Sequence, residues 1–204
     1  MFVYRLASYA TPLRTEPARR PGRYHTGAEP TPTQYACLHP LGPFAELMRA
    51  HSLRSPEQIL QVRARTWALR LETDRLLKIT FDTAPEVGLR AEDLVADDQG
   101  RCRELAGELR LRGVPGAIVP SAALPGTRNV VLFGACVASP YLLDPVGPVD
   151  APASITADGG RPALGLLERV RFRGQPHAAL AAWRRGVPFA LEEPDWELAM
   201  PAGA

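Results

Sequence analysis

The sequence predicts an α+β domain. Short apolar and β-branched runs, which suit strands, are interspersed with helical segments, but the two do not alternate strictly as they do in a doubly wound sheet. The chain has 204 residues, enough for one well-buried domain with a modest extension. Its 46% hydrophobic and 23% charged residues are typical of a globular protein.

The first part of the chain contains strands, a loop and a helix. Three strands are predicted, at residues 2–8, 34–38 and 66–71. Each is a short run rich in apolar, aromatic or β-branched residues. Proline, glycine and threonine favour a loop over residues 10–32. A helix is predicted to begin at Pro43, because helices accept proline in their first turn, and Phe44, Leu47 and Met48 give it an apolar face.

The middle of the chain continues with a strand, two helices and a strand pair. The predicted elements are a strand at 76–81, helices at 89–95 and 101–112, and strands at 117–119 and 129–133. Gly113 follows the second helix and suits the left-handed residue that ends many helices. The last two strands flank a turn at 121–126, so we expect strand, loop and strand there.

The composition changes near residue 145. Residues 145–157 are rich in proline and alanine and predict a linker or a surface segment, followed by amphipathic helices at 164–170 and 177–185. We therefore divide the chain into a domain of residues 1–145 and a C-terminal extension of residues 146–204. The sequence leaves three roles open for the extension: it covers a pocket, supports a homodimer or packs on the domain.

Charge and hydropathy argue against two classes of partner. The 24 basic residues nearly balance the 22 acidic ones, so the net charge of +2 does not favour nucleic acid or a membrane surface. No run approaches the roughly 20 apolar residues that a bilayer span requires. The first residues lack the basic and apolar regions of a signal peptide, so we expect a cytoplasmic protein.

Common catalytic motifs are absent from the sequence. It contains no GxGxxG or Walker loop for phosphates, no GxSxG nucleophile elbow and no HExxH metal site. The three cysteines, Cys37, Cys102 and Cys136, lie far apart, which supports neither a disulfide framework nor a zinc site, and we expect buried thiols. An enzyme with this sequence would assemble its site, without a metal, from scattered residues.

Four short motifs nevertheless occur in a characteristic order. They are Tyr4-Arg5-Leu6; Gly22-Arg23-Tyr24-His25; Gln34-Tyr35-Ala36 leading into Pro43-Phe44-Ala45-Glu46-Leu47; and Val119-Pro120-Ser121-Ala122 followed by Asn129-Val130-Val131-Leu132-Phe133. Each motif alone is weak, and the ordered set is specific. This series resembles the RES domain, a family named for its arginine, glutamate and serine, over roughly residues 2–140.

The resemblance implies a fold, an activity and a partner. The implied fold is similar to that of ADP-ribosyltransferases, with a mixed or antiparallel β core and flanking helices. The family contains toxins of bacterial toxin–antitoxin pairs that destroy NAD⁺ by hydrolysis or phosphorolysis. The resemblance thus implies NAD⁺ as a substrate and no prosthetic group. Inorganic phosphate would be a second acceptor besides water. The protein partner would be a helix-turn-helix antitoxin.

The motifs also identify the expected site residues. Arg23, Glu46 and Ser121 match the catalytic residues of the family, and Tyr35 matches its tyrosine. Arginine suits a diphosphate because its planar fork pairs two oxygens at once. An aromatic face suits the cationic nicotinamide ring. A carboxylate stabilises the positive charge that develops on the ribose, and a serine at a strand end can bind phosphate or the acceptor.

Three further residues are expected to contact the dinucleotide or support the site. Arg5 belongs to the first motif, in the first strand, Tyr24 follows Arg23, and Asn129 can hold the loop after Ser121 through side-chain hydrogen bonds. Two alternatives use the same residues. One is ADP-ribosyl transfer to a macromolecule, and the other is a non-catalytic module that binds NAD⁺ or another protein.

Overall fold

A computed structural model of the chain describes residues 1–6, 20–71, 73–134 and 160–193, and the backbone of 142–148. Within these ranges, seven strands form one sheet in the order β4-β5-β6-β2-β1-β3-β7. The strands are β1 (Phe2–Leu6), β2 (Thr33–Cys37), β3 (Thr66–Leu71), β4 (Leu77–Lys78), β5 (Gly116–Pro120), β6 (Arg128–Phe133) and β7 (Leu142–Pro148). Neighbouring strands are antiparallel, except that β4 and β5 are parallel.

Helices flank this sheet, which confirms the α+β prediction. The α-helices are α1 (Gly42–His51), α2 (Pro56–Leu60), α3 (Gly100–Leu111) and α4 (Ala178–Arg184). Three 3-10 helices lie at Ala84–Val87, Ala91–Leu94 and Leu164–Glu168. None of the helices in the described ranges has the length and apolar character that a bilayer span requires.

Local sequence signals explain where the helices begin and end. Proline lies in the first turn of α1, as predicted. The short helix α2 was not predicted, although Ser55 and Gln58 form the reciprocal capping box that marks a helix start. Helix α3 ends at Leu111 with Arg112 as its C-cap, and Gly113 follows with a φ of 69°. The Val114 N–H bonds to the Leu109 carbonyl at 2.9 Å, as in a Schellman motif.

Four predicted elements differ from the structure. The strand expected at 76–81 is shortened to β4, Leu77–Lys78, and a turn follows it. The helices expected at 89–95 and 164–170 are 3-10 turns, because each apolar stretch is too short for several α-helical turns. The linker expected from Pro145 is wrong at its start, because Pro145 and Pro148 lie in β7, paired with β3. Proline removes a donor, and β7 accepts it because an edge strand pairs on one side only. The rest of that predicted linker lies outside the described residues.

The core that positions the site combines α1, the loop after β5 and the C-terminal region. Its buried members are Leu41, Phe44, Ala45, Met48, Ile59, Ala123, Leu124, Leu166, Val170 and Phe172. A second cluster of buried residues lies between the sheet and α3. A third cluster lies along β1, β3 and β5. Residues of 160–193, which the sequence assigned to the extension, therefore share a core with the helix that carries Glu46. Buried Cys37 and Cys102 are free thiols, and Cys136 lies outside the described residues.

Candidate active site

A cavity of about 410 Å³ opens between the central strands and α1. This volume is within the range of small-molecule pockets. Six predicted site residues line it: Arg5, Arg23, Tyr24, Tyr35, Glu46 and Asn129. The sheet order β6-β2-β1 and the pairing of Cys37 with Asn129 place Tyr35 and Asn129 on the same face of the sheet, whereas Arg5 follows Tyr4 and extends its side chain to the opposite face. Ser121, the seventh predicted residue, lies behind Glu46 and is 0% exposed.

Two backbone carbonyls hold the Arg23 side chain. Gly22 and His25 form a β-bridge, so Arg23 lies in a tight turn. Its Nη2 donates to the Ala96 carbonyl at 2.7 Å, and its Nη1 lies 3.5 Å from the Asp93 carbonyl. Arg23 forms no salt bridge with a described carboxylate, so its positive charge stays available to an anion in the cavity.

Hydrogen bonds fix the Tyr35 hydroxyl on both sides. The Tyr24 N–H donates to it at 3.0 Å. The Nε2 of His25 lies 2.9 Å from the Arg20 carbonyl, which can only accept, so Nε2 carries a proton. In the neutral ring, Nδ1 then accepts the Tyr35 proton across 2.8 Å. Burial raises the pKa of Tyr35, so the phenol stays neutral and offers the cavity its ring.

Two donors orient the Glu46 carboxylate through one of its oxygens. The Asn129 Nδ2 donates to Oε1 at 2.6 Å, and the Ser121 hydroxyl donates to the same oxygen at 3.3 Å. Oε2 accepts no hydrogen bond from the described residues. The side chain lines the cavity and is only half-buried, so Oε2 is the oxygen left for a ligand.

The Ser121 hydroxyl is a link between its own loop and Glu46. It accepts the Leu124 N–H at 3.1 Å and the Ala123 N–H at 3.3 Å, and its single proton points to Glu46. Because Ser121 does not line the cavity, contact between its hydroxyl and a phosphate or an acceptor would require the loop to move. These hydrogen bonds support a role for Ser121 in holding the carboxylate.

The remaining predicted residues form the walls of the cavity. Tyr24 is 2% exposed and packs in the core beside α3, and burial raises its pKa. Arg5 donates to the buried Gln34 side chain on β2. Asn129 holds Glu46 itself rather than the loop after Ser121, and its Oδ1 is buried with no hydrogen-bond partner among the described residues. This orphan acceptor belongs to the same amide that holds the Glu46 carboxylate.

A charged network beneath the cavity was not predicted. Arg49, one turn after Glu46 on α1, is buried and donates to Asp97 Oδ1 at 2.6 Å, and Arg171 donates to the same oxygen at 3.0 Å. Burial alone would raise the pKa of Asp97. The Gly174 N–H and the two guanidinium groups lower it by more than burial raises it, so the pKa lies below the usual value. Asp97 follows Ala96, whose carbonyl accepts from Arg23, so the network connects one of the Arg23 contacts to the helix that carries Glu46.

Tyr4 and Cys37 also line the cavity and were not singled out as site residues. Tyr4 had a sequence signal, because it adjoins Arg5 in the first motif. Cys37 had none, since its place follows from pairing opposite Asn129 in the sheet. Burial, and then the nearby Glu46, raise the pKa of its thiol, which keeps it protonated.

Known proteins share both the sequence pattern and the fold. One relative, named "Probable NAD(+) phosphorylase Rv3189", from Mycobacterium tuberculosis, is 33% identical over 119 residues, which is 58% of this chain and 56% of that protein's length. The crystal structure of the M. tuberculosis MbcT–MbcA toxin–antitoxin complex matches with a TM-score of 0.58 and 21% identity, over 72% of this chain and 82% of the matched chain. That likeness confirms the fold expected from the motifs.

The family assignment rests on the longest of these matches. The model of the RES domain matches residues 2–150, which include all seven predicted site residues. The match also covers every strand of the sheet, from β1 to β7. The chain is therefore a member of the RES-domain family.

Proposed function

We propose that this protein cleaves NAD⁺ at the bond between nicotinamide and ribose. The observation that carries the proposal is that Arg23 and Glu46, which are distant in the chain, line the same cavity of about 410 Å³. The chemistry requires a cation for the diphosphate and an anion beside the ribose, and these two side chains supply both.

Arg23 suits the diphosphate end of the substrate. Its guanidinium is held by carbonyls, which take up hydrogen bonds without neutralising the charge. The fork can pair two phosphate oxygens at once, and such charge-assisted pairs are the strong ones.

Glu46 suits the ribose that bears the bond to be broken. The bond from C1 of this ribose to the nicotinamide nitrogen breaks, its electron pair neutralises the pyridinium ring, and positive charge develops on the sugar. A carboxylate that is already oriented stabilises this charge without reorganising during the reaction. Asn129 and Ser121 provide that orientation through Oε1, and Oε2 is left to accept from a ribose hydroxyl.

Tyr35 suits the nicotinamide ring. A cationic pyridinium is attracted to an aromatic face, and the attraction is lost once the ring leaves as neutral nicotinamide. The hydroxyl bonds to His25 and Tyr24 prevent rotation of the phenol out of the wall. The same interaction therefore favours substrate over product.

The acceptor that completes the reaction is water or inorganic phosphate. Water adds to the ribose carbon and releases a proton to solvent, which yields ADP-ribose. Phosphate adds in its place and yields phosphorylated ADP-ribose. The name of the M. tuberculosis relative favours phosphate. In the cell we propose that the protein acts as the toxin of a toxin–antitoxin pair, restrained by an antitoxin, as the solved complex with the same fold suggests.

Product analysis tests the proposal. Purified, folded and antitoxin-free protein is incubated with NAD⁺, with and without phosphate, and nicotinamide, ADP-ribose and its phosphate ester are separated by chromatography. We expect nicotinamide release, faster with phosphate if phosphate is the acceptor. Labelled NAD⁺ whose label appears in a macromolecule would instead indicate ADP-ribosyl transfer. No nicotinamide under any of these conditions would refute cleavage.

Two conservative variants assign the roles. Glu46→Gln keeps the shape and the bonds to Oε1 but removes the charge, so kcat is expected to fall by about 100-fold or more. Arg23→Lys keeps the charge but loses the fork, so the main effect is expected in KM for NAD⁺. Glu57→Gln and Arg75→Lys, at exposed positions away from the cavity, are the matched controls and should behave as the wild type.

A further inference from the structure

The C-terminal region contributes a buried histidine to the loop behind Glu46. His177 precedes α4, beyond residues 2–150 that match the family. It is 6% exposed, and its Nε2 lies 3.0 Å from the Ser121 carbonyl. A carbonyl only accepts, so Nε2–H donates, while Nδ1 accepts the Leu180 N–H at 3.1 Å as the N-cap of the helix.

Other contacts from the same region hold the same loop. The Arg171 N–H donates to the Ala123 carbonyl at 2.8 Å. The Arg171 carbonyl in turn accepts from Arg49 Nη1 at 2.9 Å, on the helix that carries Glu46. Leu166, Val170 and Phe172 pack in one core with Leu124 of the loop. Residues beyond the range that matches the family therefore hold this loop through both backbone hydrogen bonds and side-chain packing.

We propose that His177 is a positioning residue for this site: it fixes the Ser121 carbonyl, and through that residue's hydroxyl it orients the Glu46 carboxylate. The inference rests on the proposed function, since Glu46 is the group being oriented. Burial lowers the pKa of His177 to about 4, which keeps the ring neutral at physiological pH with its one proton on the Nε2 side. The Phe81 ring packs nearly perpendicular to the imidazole, at a centroid distance of 6.0 Å, and restricts its rotation.

Two substitutions separate this role from capping of α4. An asparagine amide reaches only to the place of Nδ1, so His177→Asn keeps an N-cap acceptor and loses the bond to Ser121. A glutamine amide reaches to the place of Nε2, so His177→Gln keeps the donor to Ser121 and weakens the cap. We expect His177→Asn to lower kcat for nicotinamide release about threefold, with KM for NAD⁺ little changed, and His177→Gln to retain most of the wild-type kcat.

The Ser121→Ala background tests the route. If His177 acts through the Ser121 hydroxyl, then His177→Asn cannot lower kcat by more than Ser121→Ala does. For the same reason, adding His177→Asn to Ser121→Ala should not lower kcat further. A wild-type kcat in His177→Asn would overturn the proposal, and so would an equal further loss in the Ser121→Ala background. Should His177→Asn not fold, a folded His177→Gln with the low kcat would overturn it as well.

Hydrogen exchange distinguishes failure of this inference from failure of the proposed function. In the wild type, the Ala123 and Leu124 amides bond to the Ser121 hydroxyl, and we expect them to exchange faster in His177→Asn than in His177→Gln. If the wild type releases no nicotinamide but exchange responds in this way, the proposed function fails while the anchoring of the loop stands. Equal exchange in both variants overturns the anchoring itself.

Discussion

Removal of the Asn129 side chain tests how Glu46 is oriented. Asn129→Ala deletes the 2.6 Å bond to Oε1 and leaves only the longer bond, of 3.3 Å, from Ser121. Hydrogen bonds to charged groups contribute about 1.5–3 kcal/mol. A loss of about 2 kcal/mol that is fully expressed in the transition state lowers kcat about 30-fold, since about 1.36 kcal/mol corresponds to a factor of ten.

Ser121→Ala is the matched comparison, because it removes the other donor to the same oxygen. Its longer bond is worth about 1 kcal/mol, or roughly a fivefold loss of kcat. The stability ranking is expected to be reversed. Ser121→Ala leaves two buried N–H groups of its loop unpaired, at about 1–3 kcal/mol each. Asn129→Ala removes an Oδ1 that already lacks a partner among the described residues, which offsets part of its cost.

Steady-state nicotinamide release gives kcat and KM, and thermal unfolding gives the stability. We expect Asn129→Ala to have the larger loss of kcat and Ser121→Ala the larger drop in Tm, with KM for NAD⁺ little changed in both. A larger loss of kcat in Ser121→Ala would refute the ranking by bond length. A rise in KM alone would show that these side chains contact the dinucleotide directly rather than through Glu46.

Three further predictions concern stability. His177 takes up a proton below about pH 6.5 in the unfolded chain but only near pH 4 in the folded chain. The free energy of unfolding should therefore fall by at most about 3 kcal/mol as the pH is lowered through this window. In His177→Asn, the free energy of unfolding from chemical denaturation should depend less on pH over the same range. Tyr35→Phe leaves the Tyr24 N–H and a His25 nitrogen without their bonds but keeps the ring, so Tm should fall while KM for NAD⁺ is retained, and a raised KM would contradict this reasoning. Gly42→Ala places a Cβ 2.5 Å from the Cβ of Cys37 on β2 and should destabilise the protein by about 1–3 kcal/mol. In α3, the new Cβ of Gly107→Ala meets nothing within 4 Å, so this variant should be more stable by about 0.5–1 kcal/mol. Chemical denaturation measures both changes.

Elements with a strong local pattern were predicted well. β3 has the predicted bounds, α3 lies within one residue of its predicted bounds, and α1 begins one residue before the predicted Pro43. Their signals are local: alternation along a strand, apolar spacing on a helix, and proline or glycine at a helix end. β7 was missed for the opposite reason. Its prolines argue against a strand in isolation, and only its place at the sheet edge makes them acceptable.

The sequence predicted candidate residues for the site but not the contacts between them. The ordered motifs identified Arg23, Tyr35 and Glu46, and all three line one cavity. The motif also marked Ser121, but it did not reveal that this hydroxyl is buried against Glu46 rather than open to the cavity. His177 had no motif and lies 56 residues from the carbonyl it binds.

The amino-acid order alone predicted the fold class from propensity and periodicity, which are properties of neighbouring residues. The resemblance of its ordered motifs to a known family predicted the family and the candidate site residues. Which oxygen of Glu46 is held, which is left open, and which carbonyls hold Arg23 were decided only when distant segments packed together. A hydrogen bond depends on a distance of about 3 Å and on direction, and residues far apart in the chain acquire both only from the tertiary fold.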